Sequence, residues 1–306
     1  MTKESTNTPY DDAFRTLLVK CPMLAVPLVN EVFHEEYELR EKVSVFHNEF
    51  FIGNRQQKER ITDSHIGIRD KRYHAECQSS MDGTITVRIF EYDAQIAAET
   101  AKTENGQAAF TFPYSVLLYL RCSVHTPNTI QVAFRLPSGC IFYEMPILKV
   151  PEYTTDVILQ KELYFLIPFH IFAYEQDFES MNDASEKLED LLQAYNWLSK
   201  VLQQKVNEGR LTEYERQVIR DMTVKVANSL AAKFPKIKEG VKEIMGGAIL
   251  ELEVDKILNR GIDIGKTDGS VSTLAALVRD GLLDLAEGAK RANMSIDEFE
   301  HKVKEI

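Results

Sequence analysis

Cysteine is scarce in this chain: Cys21, Cys77, Cys122 and Cys140 are the four thiols among 306 residues. They lie far apart, with no CxxC and no close Cys/His grouping. That spacing excludes a disulfide scaffold and a structural zinc site, and points to reduced, mostly buried thiols. Long apolar runs are missing too. No stretch reaches the roughly 18 residues that a spanning helix needs, so no membrane contact is expected. The opening MTKESTNTPYDD has no apolar core of the kind a secretory signal carries. A cytoplasmic protein is therefore the expectation. Positive charge is in the minority, with 36 Lys and Arg against 47 Asp and Glu and a net charge of -11. A broadly basic surface that wraps nucleic acid is excluded, whereas a local basic cleft is not.

What is present is an ordinary globular composition, 44% hydrophobic, with enough length for one large domain or two of average size. Apolar spacing from Asp12 to Glu31 predicts helix, with Phe14, Leu17, Leu18, Leu24 and Leu28 facing a core. Pro22 and Pro27 should divide it into two short helices. From Lys42 the period shortens, and VSVFHNEFFIG, ERITDSHIGI and RYHAECQS read as three strands. The alternation around Ile61–Ile68 is untidy, as expected of a strand with one functional edge. In TVRIFEYDAQIAAETAKT, Ile89, Tyr92, Ile96 and Ala97 share a helical face. FPYSVLLYLR, TIQVAFRLP and CIFYEMPILKV supply further extended segments, the last two joined by a turn at Pro137-Ser138-Gly139. Helices interspersed with a mixed sheet predict an α/β core of roughly 150 residues.

The second half changes character. LQKELYFLIPFHIFAYE is strongly apolar and should pack against the core. Leu188, Leu191, Leu192, Tyr195, Leu198 and Leu202 then recur at helical spacing, with Trp197 read as a packing residue. Gly209 interrupts, Thr212 opens another helix, and Ser295 with Glu298 is a capping-box candidate. Gly265-Lys266-Thr267 imitates the end of a phosphate-binding loop. The pattern needs glycine where Arg260 stands, so nucleotide binding there is rejected.

The chemistry is concentrated between residues 49 and 92. Asp63 lies in one extended segment, with Glu76 and Gln78 two residues apart in the next. Residues i and i+2 of a strand point to one side, and a turn near Asp70 would bring Asp63 close to Glu76. Two carboxylates in a dry cleft are costly unless neutralised. A hard divalent cation with oxygen ligands would neutralise them, and would lower the pKa of bound water. Glu49 could add a third carboxylate. On spacing alone, the same residues also suit an ordinary exposed strand face. Arg88 and Tyr92, at i and i+4, share one helical face. His65 and His74 fit either a site or a structural role.

Taken together, ERITDSHIGI, YHAECQS and VRIFEYDAQIA resemble the PD-(D/E)xK nuclease family of the Rpn-like, transposase-associated kind. Arg15 in DDAFRTLL, Asn48-Glu49 and IPFHIFAYE match the same family in order. The resemblance implies a restriction-endonuclease-like core over residues 10–175, a four-stranded mixed sheet flanked by helices, followed by a helical C-terminal region over 176–306. It implies a Mg²⁺-dependent (or Mn²⁺-dependent) endonuclease hydrolysing phosphodiester bonds, with DNA as the expected partner and a link to recombination or transposition. Asp63 matches the motif Asp and Glu76 the (D/E). Both would hold the metal, with Glu49 and the Cys77 backbone carbonyl as added ligands. Gln78 stands where the general family has Lys. The E-x-Q form resembles this subfamily's own pattern. Glutamine can position the attacking water and donate a hydrogen bond, but it carries no charge. Arg88 would steady the phosphate. Paired cuts of a duplex would favour a homodimer. The runner-up expectation is a catalytically degenerate nuclease fold acting as a DNA-binding or interaction scaffold. A third is a phosphoesterase for small substrates.

Overall fold

A computed structural model of the protein describes residues 8–46, 49–50, 60–61, 64–79, 83–104, 106–181 and 186–246, with positions 285, 289 and 299. The chain divides into two compact units, Met1–Gly247 and Ala248–Ile306. In the second, Leu285, Ala289 and Phe299 are helical. The GKT segment and Ser295 lie outside the described residues.

Helix α1 (Pro9–Lys20) starts with a capping box. Thr8 accepts from the Asp11 amide, and Asp11 accepts from the Thr8 amide, which satisfies two otherwise orphaned donors. The helix buries Ala13, Phe14, Leu17 and Leu18 on one stripe. A short 3-10 turn, Pro22–Leu24, leads into α2 (Ala25–Phe33). Pro22 therefore breaks the helix as expected, but Pro27 does not. It sits in the first turn of α2, where the amide has no intrahelical partner to lose.

Extended elements follow: β1 (Val43–Val45), β2 (Glu49–Phe50), β3 (Arg60–Ile61), β4 (Ser64–Ile68) and β5 (Lys71–Gln78). After helix α3 (Ile85–Glu99) come β6 (Lys102–Glu104), β7 (Gln107–Ala109), β8 (Tyr114–Tyr119), β9 (Thr129–Leu136) and β10 (Gly139–Lys149). The main sheet is mixed and has the order β1-β4-β5-β8-β10-β9. β1, β4 and β5 form an antiparallel meander, while β8 runs parallel to both β5 and β10. The crossover from β5 to β8 carries α3, as parallel neighbours require. Two of the expected strands are each divided between sheets. β1 and β4 belong to the main sheet, whereas β2 and β3 pair with each other. The β9–β10 hairpin turns at Pro137-Ser138, with Gly139 opposite Leu136, as expected.

β4 also corrects the reading of its pattern. All five of its residues are buried. Its alternation is untidy because the strand is covered on both faces. On one face, Ile66, Ile68, Tyr73, Cys77, Val116 and Leu118 join α1, α2 and the 3-10 stretch Tyr164–Asp177 in one core. On the other, Ile85 and Ile89 of α3 pack on Leu117, Tyr119, Met145 and Ile147.

The remaining helices are α4 (Thr155–Gln160), α5 (Phe178–Met181), α6 (Glu186–Asn207), α7 (Glu213–Leu230) and α8 (Pro235–Met245). Leu191, Tyr195, Leu198 and Leu202 of α6, Val218 and Ile219 of α7, and Ile237 and Val241 of α8 all enter the core that holds α1. Helices α6 to α8 are thus part of the first compact unit. Trp197 lies off the buried stripe of α6 and is 52% exposed, so it is not the packing residue expected. Thr212 and Glu215 cap α7, and Arg40 holds Glu215 with bonds of 2.8 and 3.1 Å. Among the described residues, no single helix is long and apolar enough to cross a membrane. The pair formed by α1 and Pro22–Phe33 is bent by 107°.

His170 lies inside this core, edge-on to Tyr174 and Tyr195. Burial lowers its pKa to about 4. A base whose folded pKa is depressed stabilises the fold above its unfolded pKa, and that contribution is lost as pH falls. Folding stability should therefore drop by about 3 kcal/mol between pH 6.5 and 4 through this residue. Urea unfolding of His170→Phe, measured over the same range, should lack that share of the loss.

Candidate functional site

The alternation of β5 sends Tyr73 and Cys77 into the helical core and turns Arg72, His74, Glu76 and Gln78 toward the α3 side. The sheet register extends the row. His65 of β4 lies opposite His74, and Ser115 of β8 is its neighbour on the other side. Above them, α3 runs with Ile85, Ile89 and Ile96 facing the sheet, and Asp93 on the same buried stripe.

The result is a hydrogen-bonded chain of polar side chains inside an otherwise apolar layer. Ser115 Oγ donates to the Asp93 carboxylate, 2.8 Å from each oxygen. Asp93 Oδ1 is 2.7 Å from His74 Nδ1, and His74 Nε2 is 3.2 Å from Glu76 Oε1. Arg88 Nη2 donates to Glu76 Oε2 at 3.1 Å and to Gln78 Oε1 at 3.2 Å. Tyr92 sets its ring edge-on to His74, with centroids 5.8 Å apart. Ser115, Asp93, His74 and Glu76 are all buried, none more than 2% exposed. Gln78 is half-buried, and the Arg88 side chain is 30% exposed. The chain therefore runs from the interior to a half-open rim.

The electrostatics follow from that burial. Desolvation acts to lower the pKa of His74, but the bonds to Asp93 and Glu76 override it and raise it to about 9. At neutral pH His74 is an imidazolium, and both of its ring N–H groups donate to carboxylates. His65 goes the other way. Burial first, then the charges of Arg72 and His74, lower its pKa to about 4. Burial and the Asp93 charge push the nearby Tyr143 up to about 12.

Arg88, Glu76 and Gln78 thus come together, with Glu76 and Gln78 on the one strand face that their spacing predicted. Two of the other expected site residues lie wholly or partly outside the described residues. Asp63 lies outside the described residues. Glu49 is described only in its backbone, on β2, and its side chain lies outside them. For Cys77 the expected donor is the backbone carbonyl, and its thiol points to the opposite face of the sheet, 2% exposed. Among the described residues, no group of three or more His, Cys, Asp or Glu could hold a metal ion. Glu76 is the one described carboxylate of the expected set, and His74 and Arg88 already compensate its charge. Burial of Glu76 therefore does not by itself demand a metal.

Three participants were missed or undervalued in the sequence. Asp93 carried a signal, an acid on the apolar stripe between Ile89 and Ile96. Ser115 carried none beyond its place in a buried strand. His74 was left ambiguous, because its partner Asp93 is 19 residues away.

Among the described residues, three cations near this row have contacts of their own. Lys71 pairs with Glu35 at 2.5 Å, and Arg72 lies 3.6 Å over the Phe46 ring. Arg121 holds the end of β5 through the Ser79 carbonyl and chelates Glu175, the last residue of the IPFHIFAYE block, at 2.5 and 2.8 Å. The chain matches no family model, no curated protein and no solved structure.

Proposed function

We propose that the protein is a metal-dependent endonuclease acting on DNA, with its centre at the Glu76 end of β5. The observation that carries this reading is the meeting of Glu76, Gln78 and Arg88 at one half-open rim. The layout around them is consistent with it. The mixed sheet has six strands rather than four, and its β1-β4-β5-β8 portion with helices on both faces supports a restriction-endonuclease-like reading.

In this reading Asp63 and Glu76 would hold Mg²⁺ or Mn²⁺, with Glu49 and the Cys77 carbonyl as further oxygen donors. Carboxylate oxygens are the preferred ligands of a hard cation, and among the described residues Glu76 is the one such donor of the expected set. When bound, such an ion would lower the pKa of water and polarise a phosphate. The chain's own residues do the remaining work. Gln78 orients the attacking water through its amide, and Arg88 exchanges its bond to Glu76 for one to a phosphate oxygen. Two copies of the chain would serve paired cuts of a duplex, and the sequence family would tie the activity to recombination.

Cleavage of a labelled DNA duplex in Mg²⁺ tests this directly. Arg88→Met should lower the rate by about 10² or more, the scale of losing one charge-stabilising donor. Wild-type activity in that variant would remove Arg88 from the mechanism.

One observation favours a second reading. Glu76 is already neutralised by His74 and Arg88, as a stable structural cluster would be. A catalytically degenerate nuclease fold, serving as a DNA-binding or interaction scaffold, would retain this network and show no metal-dependent cleavage.

A further inference from the structure

We infer that Asp93 is a positioning residue: acting through His74, it fixes the orientation of the Glu76 carboxylate. This rests on the proposed hydrolytic reading and adds to it two residues, Asp93 and Ser115, that the sequence family pattern did not supply.

A glutamate side chain has several rotatable bonds, and its two oxygens are equivalent until something distinguishes them. Here His74 Nε2 takes Oε1 at 3.2 Å, while Oε2 faces the rim and Arg88. His74 can do this only if its own ring is held. Asp93 supplies that hold at Nδ1, 2.7 Å away, and Ser115 fixes Asp93 by donating to its carboxylate. Tyr92 closes the ring from the side. A carboxylate that orients a histidine from behind commonly governs the affinity and activity of the group in front of it.

The chain also has a direction. Its inner members are almost fully buried, and its last members, Gln78 and Arg88, reach the half-open rim. Filling the same space with apolar side chains would be no less stable, since buried ion pairs rarely outdo well-packed hydrocarbon. A network that served only packing would not need to end at the rim on a carboxylate, an amide and a guanidinium.

The test uses Asp93→Asn, which keeps the shape and an acceptor for Nδ1–H but removes the charge, and Ser115→Ala, a milder change. Three readouts are taken on the full chain: Mn²⁺ affinity by calorimetry, kcat and KM for duplex cleavage, and the ¹⁵N signals of the His74 ring. For Asp93→Asn we expect the ¹⁵N signal of His74 Nδ1 to shift, because its hydrogen-bond partner changes from a carboxylate to an amide. Mn²⁺ binding and kcat should each fall by about 10- to 100-fold, with KM changed by less than about twofold. Ser115→Ala should shift the same quantities in the same direction by less, and it decides the matter if Asp93→Asn does not fold. Wild-type kcat and Mn²⁺ affinity in the folded variants, with the His74 signals altered, would overturn the positioning role alone. A wild-type chain that neither binds Mn²⁺ nor cleaves DNA would overturn the hydrolytic reading, and the positioning role with it.

Discussion

As pH rises from 6.5 to about 9, folding stability is expected to fall by about 3 kcal/mol through His74 alone. The cause is the buried pair of carboxylates around its ring. In the unfolded chain the imidazole has an ordinary pKa, and in the fold the bonds to Asp93 and Glu76 raise it to about 9. A base with a raised folded pKa contributes stability that is fully present below its unfolded pKa. The contribution is lost as pH climbs through the folded value. Urea unfolding at a series of pH values measures this, and Asp93→Asn isolates it, because the variant lacks one of the two charges. The variant's curve should be flatter across the same window. At pH 6.5, Asp93→Ala should cost about 3 kcal/mol or more, the scale of leaving a buried charge without one partner. A wild-type curve with no decline from pH 6.5 to 9 would contradict the assignment of His74 as a buried imidazolium.

The second large effect concerns chemistry. Asp63→Ala and Glu76→Gln are each expected to reduce Mg²⁺-dependent cleavage of a DNA duplex to the level of a protein-free control. Glutamine is chosen at position 76 because it can still meet Arg88 through its amide oxygen, which avoids leaving that guanidinium unmatched. Its missing charge removes an anionic ligand while most of the local shape survives. Circular dichroism and urea unfolding establish that each variant is folded before its rate is compared. Cleavage at the wild-type rate by either purified variant would exclude that residue from the mechanism.

Much of this architecture was legible because its periodicities are local. The stripe Ile89–Tyr92–Ile96 defined α3 and its inward face, and Glu76 with Gln78 had to share a strand face. Arg88 and Tyr92 had to point the same way, and they meet Glu76 and His74. Less legible was anything set by partners distant in the chain. The role of His74 depends on Asp93 across the layer and on Ser115 in the next strand, and neither is visible from neighbouring residues. Pro27 failed as a helix breaker because a break at Pro22 made it a first-turn residue. Trp197 looked like core by composition, yet the stripe through Leu191, Tyr195 and Leu198 passes it by. The expected electrostatic demand for a cation was argued from carboxylates alone. A histidine two residues away and an arginine on the facing helix had not been counted as their counter-charges.

That last point separates the two readings of the site. If Glu76 is part of a working metal centre, a divalent cation must compete with Arg88 and His74 for it. If the network is structural, no cation will bind there. Calorimetric titration of the full chain with Mn²⁺, wild type beside Asp63→Asn, measures the difference most directly. Heat from saturable binding in the wild type and its loss in the variant is the predicted result. Absence of binding in the wild type, with DNA present, or equal binding in both proteins would contradict a metal centre built on Asp63 and Glu76.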